Sequence, residues 1–381
     1  MEPVGAPQLR VLHAVAGMRR AGAETMIMNL YRNMDRSRVQ FDFLCHTREK
    51  CDYDDEIIAL GGRIVVVPPP RSLAGLCRYH QQIVDIMRSG RYAAVHSHLL
   101  HFSGAVVHAA SRANIPVRLS HSHTTCSQSA PWFSMRWLYT RTMRRLIKRY
   151  STHCLACSLA AADYLFGRDS DVMIFHNAVD LIEYGDLPTK AALKARLGVK
   201  EDALLVGHVG RFEETKNHAF VIKLFAAVLR SEQSAYLALV GDGRLKPAVM
   251  GLAGQYGVEQ RVLFLGVRSD IPQLMGAIDV LVLPSLYEGL GIVAIEAQAA
   301  GVPCVVSAGV PEEVDMGLGL VSTLALGVPV ELWAQRVINA AKAEPTSYEA
   351  RRHAIMANGY DLQRNAALIA RIYQREPTGP H

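Results

Sequence analysis

The sequence has no long hydrophobic run and few cysteines, and both absences exclude classes of protein. None of its apolar runs approaches the roughly 20 residues that span a bilayer, although 50% of its 381 residues are hydrophobic. Residues 9–16 are interrupted by Arg10 and His13, so they predict a buried strand and not the apolar core of a signal peptide. The seven cysteines are an odd number scattered through apolar runs, which favours reduced thiols and a cytoplasmic protein. Cys154 and Cys157 have the spacing of a redox or zinc pair, but no second pair or histidine cluster follows at zinc-finger spacing, and we interpret them as core residues.

Acidic residues are absent between Asp85 and Asp163, a stretch that contains ten Arg or Lys residues. Residues 1–183 carry 22 basic and 15 acidic side chains, whereas the remainder carries 19 and 20. The first half therefore faces a negatively charged partner, for which an acidic substrate, a nucleic acid and an anionic membrane are the candidates. Nucleic acid is disfavoured because no binding motif accompanies the charge.

Short apolar strands alternate with amphipathic helices along the chain, which is the pattern of βαβ units and a parallel sheet. Polar turn residues at 177–180, followed by Gly185 and Pro188, interrupt the alternation before it restarts. We therefore predict an α/β protein with two doubly wound domains, 1–183 and 184–360, and a C-terminal helix and tail at 361–381. The helical pattern near the end of the chain predicts helices at 330–343 and 348–373. Predicted strands lie at 9–15, 39–46, 63–67, 94–98, 117–121, 153–157, 172–175, 203–209, 236–240, 262–265, 279–283 and 302–307. Tandem domains of this kind are expected to place a ligand cleft at the carboxyl ends of their strands.

The second half is organised around residues 284–296, where an apolar strand runs through a Pro-Ser stop and a glycine-rich turn into a helix. Such a junction collects free backbone N–H groups and the positive end of a helix dipole, which together bind anions. Glu288 lies in the loop and Glu296 follows inside the helix. Because carboxylates repel phosphate, these two are better suited to accept hydrogen bonds from hydroxyls around it, as in a nucleotide sugar. A surface glutamate and a glutamate near a helix N-terminus would explain the pair equally well.

Three other strand ends share this predicted rim, at 210–216, 241–243 and 266–268. Arg211 and Lys216 could clamp a diphosphate, the first as a bidentate fork and the second as a point charge, although a solvated loop also accounts for them. A similar glycine junction follows the first strand, where Gly22 would let the backbone approach a ligand closely.

Taken together, these motifs resemble those of the family 4 retaining glycosyltransferases of the GT-B fold. Gly210, Arg211 and Lys216 match the family's GR-x4-K element, and Glu288 and Glu296 match its two glutamates separated by seven residues. The resemblance covers residues 11–313 and is greatest to cytoplasmic exopolysaccharide and capsule glycosyltransferases.

The resemblance implies two Rossmann-like domains facing across a cleft, with the acceptor on the first and the nucleotide sugar on the second. The C-terminal helix would pack back on the first domain. Arg211 and Lys216 would bind the donor diphosphate without a metal ion or other cofactor, Glu296 the ribose hydroxyls, and Glu288 the transferred sugar. The other implied donor-binding residues are Gly22, Gly210, Gly241, Arg268, Gly289, Leu290, Gly291 and Ile292.

Histidines end two neighbouring predicted strands, with His98 as the last residue of one, His121 as the last residue of the next, and His123 two residues beyond. A lone histidine at a strand end is usually structural, but family members carry one here beside the donor sugar and the acceptor. We therefore take all three as acceptor-side candidates and prefer His123 as a catalytic residue, together with Glu288, Arg211 and Lys216.

Residues 132–150 combine six cations with five aromatic side chains, a composition typical of helices that lie on anionic membranes. A core-packed helix with a solvated basic face is the alternative.

From these observations we predict a cytoplasmic enzyme, peripheral on the inner membrane face. It would move a hexose from a nucleotide-sugar donor, a UDP-sugar by resemblance, to a glycan acceptor that is lipid-linked. This reaction would belong to exopolysaccharide or capsule assembly. A transferase for soluble, antibiotic-type acceptors and a GT-B nucleotide-sugar epimerase are the alternatives. A nicotinamide-dependent dehydrogenase is disfavoured because no G-x-G-x-x-G follows the first strand, and a non-catalytic sugar-binding protein would require Glu288 and Arg211 to be dispensable.

Overall fold

A computed structural model describes residues 8–70, 72–124, 135–168 and 170–376 of the chain. The chain divides into two compact units, Met1–Ala178 with Leu362–His381 and Val179–Asp361. The chain passes from the first unit to the second five residues before the predicted boundary. The reason is that Val179 pairs with the end of the second unit, where the Val179 N–H donates to the Tyr360 carbonyl at 3.0 Å.

The first unit is built on a seven-stranded parallel sheet with the strand order β3-β2-β1-β4-β5-β6-β7. Its strands are β1 (Leu9–Val15), β2 (Val39–Cys45), β3 (Ile64–Val66), β4 (Ala94–Ser97), β5 (Val117–Ser122), β6 (His153–Ala156) and β7 (Met173–Ile174). The central strands are apolar runs without alternation, as expected for a parallel sheet that is covered on both faces. The order reverses between β1 and β4, so the connections after these two strands run in opposite directions. This leaves room for a ligand at the carboxyl ends of the two strands.

Among the described residues, six α-helices precede the passage of the chain to the second unit, and they cover this sheet. They are α1 (Gly22–Asn33), α2 (Asp54–Ala59), α3 (Leu73–Gly90), α4 (Ser103–Arg112), α5 (Met135–Tyr150) and α6 (Leu159–Leu165). Serine caps fix two of the helix starts, since the Ser72 hydroxyl accepts from the Gly75 N–H at 3.0 Å and the Ser158 hydroxyl accepts from the Ala161 N–H at 3.2 Å.

The second unit repeats this plan with a six-stranded parallel sheet in the order β10-β9-β8-β11-β12-β13. Its strands are β8 (Leu205–Val209), β9 (Tyr236–Val240), β10 (Val262–Gly266), β11 (Val280–Leu283), β12 (Cys304–Ser307) and β13 (Val321–Leu324). Its helices are α7 (Lys190–Arg196), α8 (His218–Ser231), α9 (Lys246–Gln255), α10 (Ile271–Ala277), α11 (Ile292–Ala300), α12 (Val330–Ala340) and α13 (Tyr348–Ala357). The order reverses between β8 and β11, which places the loops after these two strands beside each other.

The C-terminal helical region differs from the single helix predicted at 348–373. It consists of α13 and a separate helix, α14 (Leu362–Gln374), because Gly359 takes a φ of 84° and ends the first helix in a turn. α14 belongs to the first unit, where Leu362, Ile369 and Tyr373 join the core beneath β1 and β2. Strand β13 was not predicted, since its short polar sequence has little apolar signal.

Among the residues that the structure describes, no helix combines the length and the apolar character needed to cross a membrane.

Candidate active site

The candidate donor site lies at the carboxyl edge of the second sheet and centres on Lys216 and Glu288. The Lys216 Nζ lies 2.5 Å from Glu288 Oε1, and the hydroxyl of Ser285 donates to the same oxygen at 2.7 Å. The Glu288 N–H donates to the Gly309 carbonyl at 2.9 Å, which fixes the loop from behind. The two residues that the sequence places 72 positions apart are therefore in direct contact, and the carboxylate faces a cation and a hydroxyl within its own unit.

Backbone contacts hold the two loops that carry this pair together. The side-chain amide of Asn217 donates to the Pro284 carbonyl at 3.0 Å, and the Leu286 N–H donates to the Thr215 carbonyl at 2.8 Å. Asn217 itself has a φ of 54°, a left-handed conformation that asparagine tolerates better than most residues. The turn after β8 is thus fixed against the loop after β11.

Glycines allow the neighbouring strand ends to approach this pair. A Cβ on Gly241, whose φ is 133°, would lie 2.1 Å from the Gly210 carbonyl oxygen, and a Cβ on Gly210 would lie 3.1 Å from the Lys216 side chain. The Gly241 N–H in turn donates a hydrogen bond to the Gly266 carbonyl at 2.8 Å. Three of the predicted strand ends therefore meet through backbone contacts.

The two predicted arginines are engaged by local acids and do not join the Lys216–Glu288 pair. Arg211 is exposed and lies 3.1 Å from Glu213, two residues along the chain. Arg268 makes a two-point contact with Asp270 at 2.7 and 2.8 Å, and this hydrogen bonding raises the pKa of the Arg268 guanidinium. Both cations are at the strand ends, where a side-chain rotation can redirect them towards an anion.

The loop from Gly289 to Ile292 leads into α11 as the sequence predicts. Leu290 is buried and anchors the loop, and Gly291 has a φ of 88° at the residue before the helix. No side chain of a described residue caps α11, and its first turn contains no acid. The first N–H groups of this helix therefore keep the positive end of the helix dipole available to an anion.

Glu296 lies in the second turn of α11 and is partly exposed. Loss of solvation, with a further contribution from the negative charge of Glu183, raises the pKa of Glu296 to about 7. Glu296 therefore takes up a proton at a higher pH than an ordinary surface glutamate does.

The predicted histidines of the first unit belong to a larger cluster at the carboxyl ends of β1, β4 and β5. His98 is the centre of this cluster, because its Nε2 lies 3.1 Å from His13 Nδ1 and its Nδ1 lies 2.8 Å from His123 Nε2. His121 packs against His123 with ring centroids 3.9 Å apart. His96 completes the group and lies 2.7 Å from the Tyr373 hydroxyl through its Nδ1. We refer to His13, His96, His98, His121 and His123 as the histidine cluster.

All five imidazoles of the histidine cluster are neutral at pH 7. Burial lowers the pKa of His13 and of His123 to about 3. Burial and then the neighbouring imidazoles lower the pKa of His96, His98 and His121 well below the usual value. His98 and His123 are the two members that are partly exposed.

Gly22 is the first residue of α1 and is exposed, with no atom within 4 Å of the position that a Cβ would occupy. The open space around its backbone fits the predicted close approach of a ligand, but no contact among the described residues of the first unit requires glycine there.

The basic segment forms helix α5, while Trp132 and Phe133 lie outside the described residues. Its buried residues Met143 and Ile147 pack towards α4, where Gly104 lets the Met143 backbone approach. Met135, Leu138 and Tyr139 near its start are exposed by 80%, 52% and 41%. The helix is thus core-packed on one side, as in the alternative interpretation, and has exposed apolar residues among its cations on the other.

Several residues of these sites were not predicted. Ser285 follows Pro284 at the end of a strand, where serine is a common turn residue and gives no sign of a functional role. His13 and His96 lie within apolar runs of the sequence, where nothing marks them as site residues. They are close together because the register of β1 and β4 pairs them directly. The position of Tyr373 depends on α14 returning to the first unit, which no local pattern indicates.

The fold and these strand-end motifs define the class of the protein as a glycosyltransferase of the GT-B fold. The chain matches the family described as "Glycosyltransferase Family 4" over residues 20–183 and that described as "Glycosyl transferases group 1" over residues 189–326. It is 41% identical over 373 residues to a Bacillus subtilis (strain 168) protein designated a glycosyltransferase, EpsF, with 96% of each chain covered. The chain therefore belongs to the family 4 glycosyltransferases.

Two further relatives are more distant. An Escherichia coli UDP-Gal:alpha-D-GlcNAc-diphosphoundecaprenol alpha-1,3-galactosyltransferase is 27% identical over 237 residues, which cover 59% of this chain and 60% of the relative. The crystal structure of Anabaena HepE in complex with UDP and glucose superimposes with a TM-score of 0.73 at 19% identity, covering 97% of this chain and 98% of the other. The latter similarity is one of fold.

Proposed function

We propose that this glycosyltransferase moves a hexose with retention of configuration from a UDP-sugar to a lipid-linked glycan in exopolysaccharide or capsule assembly. The observation that carries the proposal is the Lys216–Glu288 pair at the strand ends of the second unit, beside the uncapped start of α11. The names of two relatives support the finer points. HepE was crystallised with UDP and glucose, and the E. coli relative is named for a UDP-sugar and a diphosphoundecaprenol-linked acceptor.

In this proposal the donor diphosphate binds at the carboxyl edge of the second sheet. Arg211 leaves Glu213 to contact phosphate, Lys216 offers the N–H groups that Glu288 does not use, and the N–H groups of residues 289–292 add a helix-terminal anion site. Glu288 accepts hydrogen bonds from the transferred sugar. Glu296 accepts from the ribose, and Arg268 lies at the strand end that flanks the base.

The chemistry follows from charge. As the bond to the sugar breaks, negative charge grows on the leaving diphosphate, and preorganised cations and N–H groups stabilise it without a metal ion. We assign His98, His121 and His123 to the acceptor side. His123 is neutral and partly exposed, so it can accept a hydrogen bond that orients an incoming hydroxyl.

Replacing Arg211 tests the donor site with little risk to the fold, since its side chain is exposed. We expect R211A to lower the transfer rate from a UDP-sugar by about 10²–10³, because one charge-stabilising donor is lost. R230A is the matched control, since Arg230 is an exposed arginine of the same unit paired with a glutamate at 3.1 Å. Wild-type turnover by R211A, or an equal loss in R230A, would refute the assignment.

We also propose that the start of α5 contacts an anionic membrane, where the acceptor lipid resides. Exposed apolar residues next to cations favour this contact, because the apolar groups insert while the cations meet lipid phosphates. The full-length protein should float with vesicles that contain anionic lipid and not with neutral vesicles, and L138D should reduce flotation several-fold.

The control for this test is L332D, since Leu332 is a similarly exposed leucine at 57% in the second unit. Equal flotation with anionic and neutral vesicles, or an L138D protein that floats like the wild type, would favour a soluble acceptor instead.

A further inference from the structure

The histidine cluster contains two groups of three imidazoles whose ring nitrogens lie within 4.8 Å of one another. One group is His13, His96 and His98, and the other is His98, His121 and His123. Three nitrogens at this spacing are a feature of protein sites for zinc and similar metal ions, in which imidazole is a preferred ligand.

Access separates the two groups. In the first, His13 and His96 are fully buried, and one nitrogen of His96 is already engaged by the Tyr373 hydroxyl. In the second, His98 and His123 are partly exposed, while His121 lies buried behind them. The second group is therefore the one that an ion can reach from solvent.

We propose that His98, His121 and His123 form a binding site for a divalent transition-metal ion of the zinc class, with one coordination position open to solvent. The site draws its ligands from the ends of two adjacent strands, β4 and β5, which are rigid supports.

Contacts around these three rings fit the outer shell of a metal site. A metal-bound histidine usually donates its second ring N–H to a neighbouring acceptor, which fixes the ring. His13 Nδ1 is placed to accept from His98 Nε2 at 3.1 Å, which leaves His98 Nδ1 facing His123. One ring nitrogen of His121 interacts with the Phe175 backbone, and the other has no hydrogen-bond partner among the described residues, so it is available to an ion.

Binding requires a small opening of the site. His98 Nδ1 and His123 Nε2 are 2.8 Å apart, the distance of a hydrogen bond. Two nitrogens bound to one tetrahedral zinc ion at about 2.0–2.1 Å are about 3.3 Å apart. The ion would replace the shared proton, and a shift of about half an ångström accommodates it. Since His123 is also the residue assigned to the acceptor, a bound ion would prevent its ring nitrogen from accepting a hydrogen bond from the acceptor.

Metal affinity of the tag-free full-length protein tests the site without the transfer reaction. We expect one equivalent of Zn²⁺ to bind in competition with a chromophoric chelator. H123Q and H121Q should each lower the affinity by more than about 100-fold, since loss of an outer-shell partner alone costs about 10–100-fold. Co²⁺ should give the visible spectrum of a four-coordinate ion, and Zn²⁺ should raise the thermal midpoint of the wild type but not that of H123Q.

H108Q is the matched control, because His80 and His108 form a second histidine pair in the same unit with ring centroids 4.7 Å apart. H108Q should bind Zn²⁺ like the wild type. The proposal is wrong if the wild type binds no Zn²⁺, if H108Q loses the ion, or if H96Q loses it while H123Q keeps it. Circular dichroism of each metal-free variant shows whether the variant is folded.

Discussion

At the scale of single residues, each cation of the candidate donor site is paired with a carboxylate of the second unit. The Glu288 side chain is only 11% exposed, and Lys216 and Ser285 satisfy the same oxygen. Removing one member of such a pair leaves the other charge without compensation, which destabilises the fold as well as the site. Arg211 is the clearer probe of function, because its partner Glu213 is itself accessible to water.

The pH response of Glu296 should be measurable in the second unit. Its pKa is raised from 4.5 to about 7, so its contribution to stability is present below about pH 4.5 and is lost as the pH rises through about 7. We expect E296Q to have a higher thermal midpoint than the wild type at pH 8, by a few degrees, since 1 kcal/mol corresponds to about 2–4 °C.

At pH 5 the two proteins should differ much less, because Glu296 is then protonated in the folded state. E331Q, at an exposed position of the same unit, serves as the control and should show no such pH dependence. A constant difference between E296Q and wild type from pH 5 to pH 8 would contradict the raised pKa.

At the scale of elements, glycines determine how closely the strand-end loops approach. Gly241 has a φ of 133°, and the Gly210 carbonyl occupies the space that a Cβ on Gly241 would fill. A side chain there would separate the loop after β9 from the loop that carries Arg211. The position thus links local backbone conformation to the spacing of the donor site.

We expect G241A to destabilise the second unit by at least about 1–3 kcal/mol, the cost of a strained backbone conformation, with the steric clash adding to it. G251A is the matched control, since Gly251 lies within α9 with nothing near its Cβ direction. That change should be neutral or stabilising by up to about 1 kcal/mol. Urea unfolding measures both, and equal midpoints for the two variants would rule out the packing argument.

At the scale of the whole molecule, the chain leaves the first unit at Ala178 and returns to it at Leu362. α14 then supplies core residues to the first unit, and Asn365 donates to the His176 carbonyl at 3.0 Å. The Tyr373 hydroxyl contacts His96, which is 277 positions earlier in the sequence. The first unit is therefore incomplete without the C-terminal helix.

Y373F should test this long-range contact. It leaves His96 Nδ1 buried without a partner, so we expect a loss of about 1–3 kcal/mol in the stability of the first unit. Hydrogen exchange of the β1 and β4 amides measures this unit separately from the second. Y256F, at an exposed tyrosine, should change stability by less than about 0.5 kcal/mol, and the same small effect from Y373F would argue against a structural role for the contact.

The sequence alone determined the α/β class, most strand positions and the pairing of glycine-rich strand ends with charged residues. These features are local, because a buried parallel strand needs a continuous apolar run, as in residues 280–283, and a strand-to-helix turn needs glycine, as at Gly291. The family could be predicted for the same reason, since Arg211, Lys216, Glu288 and Glu296 lie in two short motifs.

Only the tertiary structure decided which of these residues touch. It placed the Lys216 amine against the Glu288 carboxylate and the Arg211 guanidinium against Glu213, and it brought His13 and His96 next to the predicted histidines. The single helix predicted at 348–373 was wrong because periodicity continues through a glycine that the fold uses to end a helix. Strand order, register and the return of the chain bring together residues far apart in sequence, and the physical reason is that burial of the shared core, not any local preference, fixes those contacts.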